Sequence, residues 1–456
     1  MKRGFLNGPK ATARLRQGAS NLQHNSSAVD PPNLRFPIGK VSKVDVPHTR
    51  SGGYTACATT YTTFPLVPNP DEPVTECIFF EGSKEILMQV PHFPQPMLQP
   101  AESAHRIGVA PGKGRGLFST LALRTGELIC SDRPLLIGPR GVPTSAPPNF
   151  TPDMLIQHSL NELEKCYEVG VNRMRPHDKS VFMALANCHT QDGSGPIVGI
   201  VRTNGLGIDE LQTDKAPAKG RQYTTVSQYI SLLNHSCSAN TAPVFHLPSL
   251  SFRLYAVRDI PAGEELTFQY IDVLACAAAR QRALKPYDLV CTCTACSDPT
   301  VSDRRRAAIE AIHPNAIMWA AVNRELPDDW LINQCLEQLA LLIAEGLEHH
   351  QKYFHATKTI MEAYICLGDR VGASEWAGKL HKQRWADGYA VANTGALLLS
   401  ESNAYEQHPL WRARVEPDAN TSTRVLQTFA KFAGTANIKP LAGGSAMMLF
   451  PVGNSL

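Results

Sequence analysis

Three cysteines fall within six positions at Cys291-Thr292-Cys293-Thr294-Ala295-Cys296. A C-x-C-x-x-C run brings three thiolates to one point, one fewer than tetrahedral zinc takes. The fourth ligand is expected from elsewhere, and Cys237 is the candidate because it closes the polar stretch Asn234-His235-Ser236-Cys237. Four sulfur ligands leave no open coordination position, so such a metal would brace the fold rather than carry out chemistry. The competing readings are a redox pair, or chance spacing in a chain of 12 cysteines.

A second set of residues able to do chemistry lies around that stretch. Asn234 and His235 follow apolar Ile230, Leu232 and Leu233. A strand that ends in Asn and His, rather than in Gly or Pro, delivers side chains somewhere. Ser251 to Val257 has the β-branched and aromatic content of the next strand, residues 259–263 have the Pro and Gly of a turn, and Leu266 to Tyr270 is expected to return as a strand. This unit presents Tyr270 near the Asn-His pair. A core hairpin with satisfied polar groups reads the same way. Upstream, residues 112–116 are glycine-rich enough for backbone to approach a ligand closely. A plain turn is the alternative, and no Gly-Lys-Ser/Thr follows at the spacing of a phosphate-binding loop.

Taken in order, Lys113-Gly114-Arg115-Gly116-Leu117-Phe118, Arg202-Thr203-Asn204, Asn234-His235-Ser236-Cys237, Gly263 to Tyr270 and the three-cysteine cluster resemble the motifs of SET-domain methyltransferases. The nearest likeness is to the SMYD-like branch with a post-SET cysteine cluster, in particular fungal proteins lacking the MYND zinc finger. The resemblance spans about residues 105–298. Two positions depart from the family pattern: Ala239 stands where Pro is usual, and Leu289 where an aromatic residue commonly precedes the cysteines. A missing Pro only relaxes a turn. A missing aromatic removes a stacking surface for an adenine.

The resemblance implies S-adenosylmethionine as methyl donor, with Lys113, Gly114, Arg115 and Gly116 wrapping its methionine end and Asn204, Asn234, His235 and Leu289 completing the pocket. It implies catalytic roles for Tyr270, near the transferring methyl, and for Tyr287, lining the acceptor channel, although Tyr287 reads equally as a packing aromatic. Phe268 is expected in the substrate channel, on the face of Tyr270. The structural zinc is expected on Cys237, Cys291, Cys293 and Cys296. The leading activity is protein-lysine N-methylation of a basic segment such as a histone tail. The alternatives are methylation of a small amine or carboxylate, and a non-catalytic scaffold.

The fold class expected is α+β: a mainly β SET domain with a helical insert and a post-SET zinc site, followed by an α-helical C-terminal domain. Residues 1–29 hold five Lys and Arg and no acidic residue, which fits a disordered basic arm, or a mitochondrial presequence broken by glycines. Residues 54–100, rich in proline, read as an extended segment packed on the main domain. The boundaries expected are 1–100 for arm and extended segment, 101–298 for the SET and post-SET domain with its insert at about 151–190, 299–432 for a TPR-like helical domain, and 433–456 for a tail.

Within that frame, Thr151-Pro152-Asp153 starts a helix with Leu155, Ile156, Leu160, Leu163 and Tyr167 on its buried face. A second helix is expected from Asp178 to about Cys188. Ile197 to Val201 reads as a buried strand ahead of Asn204. Farther on, Asp329–Ile343, Tyr353–Leu367 and Val371–Tyr389 are expected as helices.

Charged residues make up 19% of the chain and the net charge is +3, so no strong nucleic-acid-binding field is expected. Scattered cysteines point to a reducing compartment, nucleus or cytoplasm. No apolar run is long enough to span a membrane, and a monomer is expected.

Overall fold

The computed structural model describes residues 46–48, 59–68, 72–142, 148, 150–208, 211, 223–383, 385 and 404–430. The expected basic arm and tail lie outside them. The chain divides into two compact units, Met1–Pro299 and Thr300–Leu456.

Among its described residues, the first unit is built on three small sheets. A six-stranded sheet runs in the order β1 (Val46–His48), β2 (Thr59–Phe64), β3 (Thr75–Phe80), β7 (Leu136–Pro139), β9 (Tyr223–Val226) and β8 (Leu206–Ile208). The segment expected to pack outside the domain therefore supplies inner strands, and every residue of β3 is buried. Its apolar run at residues 77–80 is the core of β3, whereas Ile86 and Leu87 belong to a short helix. A four-stranded sheet runs β10 (Asn234–His235), β13 (Glu265–Phe268), β5 (Gly114–Ser119) and β4 (His105–Ala110). The third sheet orders β11 (Thr241–His246), β12 (Ser251–Ala256) and β6 (Leu128–Asp132).

Helix α1 (Ser83–Met88) follows β3. Helix α2 (Pro152–Arg173) starts as its residues dictate: the Thr151 hydroxyl accepts from the Met154 amide at 3.3 Å, and Pro152 fills the first turn. Leu160, Leu163 and Tyr167 are buried, whereas Leu155 is 42% exposed and lies off the buried face. Helix α3 (Pro176–Met183) is shorter than expected and ends before Cys188.

The apolar run expected as a strand at residues 197–201 is instead helix α4 (Pro196–Asn204). Its β-branched residues favour a strand, but Pro196 opens a helical turn and the Glu164 carboxylate accepts from the amides of Ile197 (2.9 Å) and Val198 (2.7 Å). That carboxylate does the work of an N-cap from another helix. The run before Asn234 is likewise not a strand. Ile230–Leu232 is a 3₁₀ turn, capped by Asp132, whose carboxylate accepts from the amides of Tyr229 (2.7 Å) and Ile230 (2.8 Å). Two short helices, α5 (Ala277–Leu284) and α6 (Thr294–Ser297), close the unit.

The second unit is helical among its described residues: α7 (Pro299–Ala311), a π turn at Met318–Val322, α8 (Trp330–Ala344), α9 (Gln351–Leu367), α10 (Arg370–Lys382), α11 (Ala404–Gln407) and α12 (Thr421–Ala430). Gly368, at φ 74°, ends α9, and the Asp369 carboxylate caps α10 by accepting from the Val371 and Gly372 amides. This gives the tight turn of a helical hairpin. No described helix is long and apolar enough to cross a membrane.

Candidate functional site

A cleft of about 270 Å³ in the first unit is lined by Lys113, Gly114, Arg115, Asn204, Asn234, His235, Tyr270, Tyr287 and Leu289. Six segments separated in sequence meet there. Ala184, Ala186, Thr203, Ser231 and Leu232 complete the wall. Gly116 stands behind it: a Cβ there would lie 2.8 Å from the Asn234 amide nitrogen and 3.3 Å from Glu265, so only glycine leaves room for that amide. Phe268 does not line the cleft. It is 5% exposed, belongs to the hydrophobic core and ends β13, so strand alternation does not carry through to Tyr270.

Each polar wall residue is fixed by a partner. The Asn234 side-chain amide donates to the Glu265 carboxylate at 2.8 Å and to the Arg115 carbonyl at 3.2 Å. The other oxygen of Glu265 takes the Lys113 ammonium at 2.8 Å. One carboxylate thus ties the glycine-rich turn to the Asn-His strand. The Asn204 amide donates to the carbonyls of Ala186 (2.7 Å) and Ile200 (2.8 Å). Its backbone comes from the last turn of α4, not from a strand end.

Beneath it, buried Arg202 pairs with Asp192 at 2.8 Å, and Asp192 also meets His189 at 2.6 Å. Burial raises the Asp192 carboxyl, but the hydrogen bond from His189 and the charge of Arg202 overcome this and hold it at about 2. Cys188 bonds the Thr203 hydroxyl (3.2 Å) and the Pro286 carbonyl (3.1 Å), tying the insert to the segment that carries Tyr287.

Tyr270 is held at both ends. Its hydroxyl donates to the Leu233 carbonyl at 2.6 Å, and its amide donates to His235 Nδ1 at 3.1 Å. Its ring lies 5.2 Å from that of Tyr287 and 5.3 Å from the His235 imidazole. The hydroxyl hydrogen is engaged, which leaves the oxygen lone pairs as the acceptor that the ring presents.

The four cysteines converge. Their ligand atoms all lie within 4.8 Å of one another, and Cys237 Sγ stands 3.9 Å from Cys291 Sγ and 3.6 Å from Cys296 Sγ. Sulfurs about 2.3 Å from a tetrahedral zinc stand roughly 3.8 Å apart, so the set fits that ion. The other thiols hydrogen-bond to Cys293 and hold its pKa far below the usual thiol range, whereas Cys237 is pushed far up, first by Cys291. The buried guanidinium of Arg280 reaches Cys296 Sγ at 3.7 Å and the Ala295 carbonyl at 3.2 Å. Hydrogen bonds with Cys237 and Cys291 bring the Cys296 thiol down to about 6, against Cys293 and burial, with a smaller lowering from Arg280. A neighbouring cation favours thiolates, the form that binds metal. Gln281 clasps Cys291 with two hydrogen bonds to its backbone.

Sequence reasoning missed Glu265, Asp132, Arg280 and Gln281. Only Glu265 carried a signal, as one of two carboxylates opening the strand that leads to Tyr270.

Residues 114–271 match the SET domain family. The fission yeast protein "Histone-lysine N-methyltransferase set5" (Schizosaccharomyces pombe) is 26% identical over 194 residues, covering 42% of this chain and 50% of that protein. Human "Histone-lysine N-methyltransferase SMYD3" is 48% identical over 68 residues, 15% of each chain. Human "Histone-lysine N-methyltransferase SMYD1" is 29% identical over 215 residues, 42% of this chain and 43% of the other. The chain therefore spans half or less of the length of these relatives. It carries a SET domain with a helical C-terminal region and a four-cysteine group beside the domain's end.

Proposed function

We propose that this chain is an S-adenosylmethionine-dependent protein-lysine N-methyltransferase. The observation that carries the reading is the convergence of Lys113–Arg115, Asn204, Asn234–His235, Tyr270, Tyr287 and Leu289 on one cleft within the SET-matching unit.

S-adenosylmethionine, when bound, supplies an electrophilic methyl on sulfur. The residues that would hold it are the glycine-rich turn, Asn204, Asn234 and His235, with Leu289 as an aliphatic wall. A lysine acceptor has a reference pKa near ~10.4 and must lose a proton before its nitrogen attacks. Tyr270 offers a fixed acceptor oxygen to polarised hydrogens at that place, and the tilted Tyr287 ring packs beside it to exclude water. Cys237, Cys291, Cys293 and Cys296 would hold one structural zinc.

The relatives act, by their names, on histone lysines, and a basic lysine-bearing segment of a histone or similar protein is the substrate proposed here. The finer placement is the SMYD-like branch without a MYND finger, working as a monomer in nucleus or cytoplasm.

The test is incubation with S-adenosylmethionine labelled in its methyl group against histones, cell-lysate proteins and a metabolite extract. Label on protein lysine supports the reading. Label confined to small molecules moves it to the alternative acceptor class, and no transfer by folded, cofactor-binding protein overturns it.

A further inference from the structure

Strands β10 and β13 pair in parallel for only two residues, Asn234 with Thr267 and His235 with Phe268. The last backbone bond between them runs from the Ser236 amide to the Phe268 carbonyl at 3.2 Å. Beyond it the strands part, and the Tyr270 amide bonds to the His235 imidazole instead. The ring takes over where the ladder stops.

Its two nitrogens then have fixed roles. A backbone amide can only donate, so Nδ1, 3.1 Å from the Tyr270 nitrogen, carries the lone pair. The neutral ring's proton therefore sits on Nε2, which lies 3.3 Å from Cys237 Sγ. The ring is 2% exposed and faces the Tyr270 ring at 5.3 Å.

We infer that His235 is a positioning residue that couples the metal cluster to Tyr270: Nε2–H donates to the Cys237 sulfur while Nδ1 holds the Tyr270 backbone. A metal-bound thiolate is a stronger acceptor than a thiol, and an N–H aimed at a ligand atom orients that ligand and tunes its hold on the metal. Metal occupancy fixes the ring, the ring fixes the Tyr270 backbone, and the Tyr270 hydroxyl closes the circuit on the Leu233 carbonyl one residue before Asn234. This rests on the zinc and Tyr270 assignments proposed above.

Two substitutions separate the ends of the ring. In His235→Gln the side-chain amide nitrogen reaches the place of Nε2, keeping a donor for sulfur and losing the acceptor for Tyr270. In His235→Asn the side-chain oxygen reaches the place of Nδ1, keeping the acceptor and losing the donor. The probe is the full-length protein loaded with ¹¹³Cd in place of zinc and labelled with ¹⁵N-histidine. We expect the Nε2–H tautomer at His235 and a splitting of that proton by ¹¹³Cd through the sulfur.

We expect His235→Asn to release metal to a chromophoric chelator about 10–100-fold faster than wild type. His235→Gln should stay within a few-fold of wild type in metal release while losing methyl transfer. A metal-loaded wild-type protein with the proton on Nδ1, or with no splitting, overturns the coupling and leaves the zinc site standing. So does equal metal release by both variants and wild type. A folded wild-type protein that binds no metal removes the coupling and the zinc assignment together.

Discussion

The cleft and the cysteine cluster share one tetrapeptide, Asn234 to Cys237, yet they are held by opposite means. The cluster is four like atoms gathered around one point, with Arg280 and Gln281 steadying its edge and His235 against Cys237. The cleft is a set of unlike groups, each oriented by its own separate partner: Glu265 behind Lys113 and Asn234, Asp132 behind the turn before Asn234, the carbonyls of Ala186 and Ile200 behind Asn204. A closed metal site fails all at once, because three ligands no longer make four. A wall of separately held groups fails by degrees. Substitutions in the two regions should differ in kind as well as in size.

The largest effect is expected from Cys293→Ser. Metal content of purified protein should fall from about one equivalent to near zero, with loss of cofactor binding and a lower melting temperature, since structural zinc contributes directly to folding. Inductively coupled plasma analysis alongside thermal melts reads this. A stable, metal-free variant that still binds cofactor would erase the difference in kind between the two regions.

Tyr270→Phe should be more selective. It removes the hydroxyl bonded to Leu233, at a cost of about 1 kcal/mol for a single hydrogen bond. It keeps the ring and the amide bond to His235. Cofactor affinity should stay within about tenfold of wild type, less than ~1.4 kcal/mol, while turnover falls on the order of a hundredfold or more. Calorimetric titration beside initial rates separates the two. A variant that loses stability and activity in proportion would make Tyr270 a structural residue.

The smallest effect tests the supports of the cleft through pH. Burial raises the Asp132 carboxyl to about 6, against the hydrogen bonds from the amides of Ile230 and Tyr229. An unfolded aspartate titrates near ~3.9, so between those values the native state holds a proton that the unfolded chain has released. The contribution of Asp132 to stability therefore grows as pH falls from 7 through 6 and levels off near 4. Asp132→Asn carries no charge at any of these pH values. The melting temperature of the variant minus that of wild type should drop by a few degrees between pH 7 and pH 5. A difference independent of pH would contradict the buried, titrating cap.

The same contrast explains what the sequence revealed. Three cysteines in six positions announce a metal site because the ligands are adjacent and alike, and Cys237 was traceable because it closes a polar stretch. Motif order singles out Tyr270, Asn234, His235 and the glycine-rich turn, and the structure brings them to one cleft. Residues whose conformation depends on a distant partner were not. Ile197 to Val201 has the composition of a strand, and Glu164, 33 residues away from Ile197, makes it a helix. The run before Asn234 is a 3₁₀ turn because of Asp132, 98 residues away from Ile230. Strand alternation would put Phe268 on the face of Tyr270, but β13 ends at Phe268, two residues short of Tyr270. In the second unit Gly368 and Asp369 act within one turn, and that helix boundary was readable.

The most direct test of the central claim is mass spectrometry of lysines in histones and lysate proteins after incubation of the zinc-loaded protein with S-adenosylmethionine carrying a deuterated methyl group. The account predicts deuteromethyl-lysine in a basic segment with wild type and almost none with Tyr270→Phe under cofactor saturation. Deuteromethyl-lysine formed equally by both proteins, or none formed by a wild-type protein shown to bind cofactor, would contradict it.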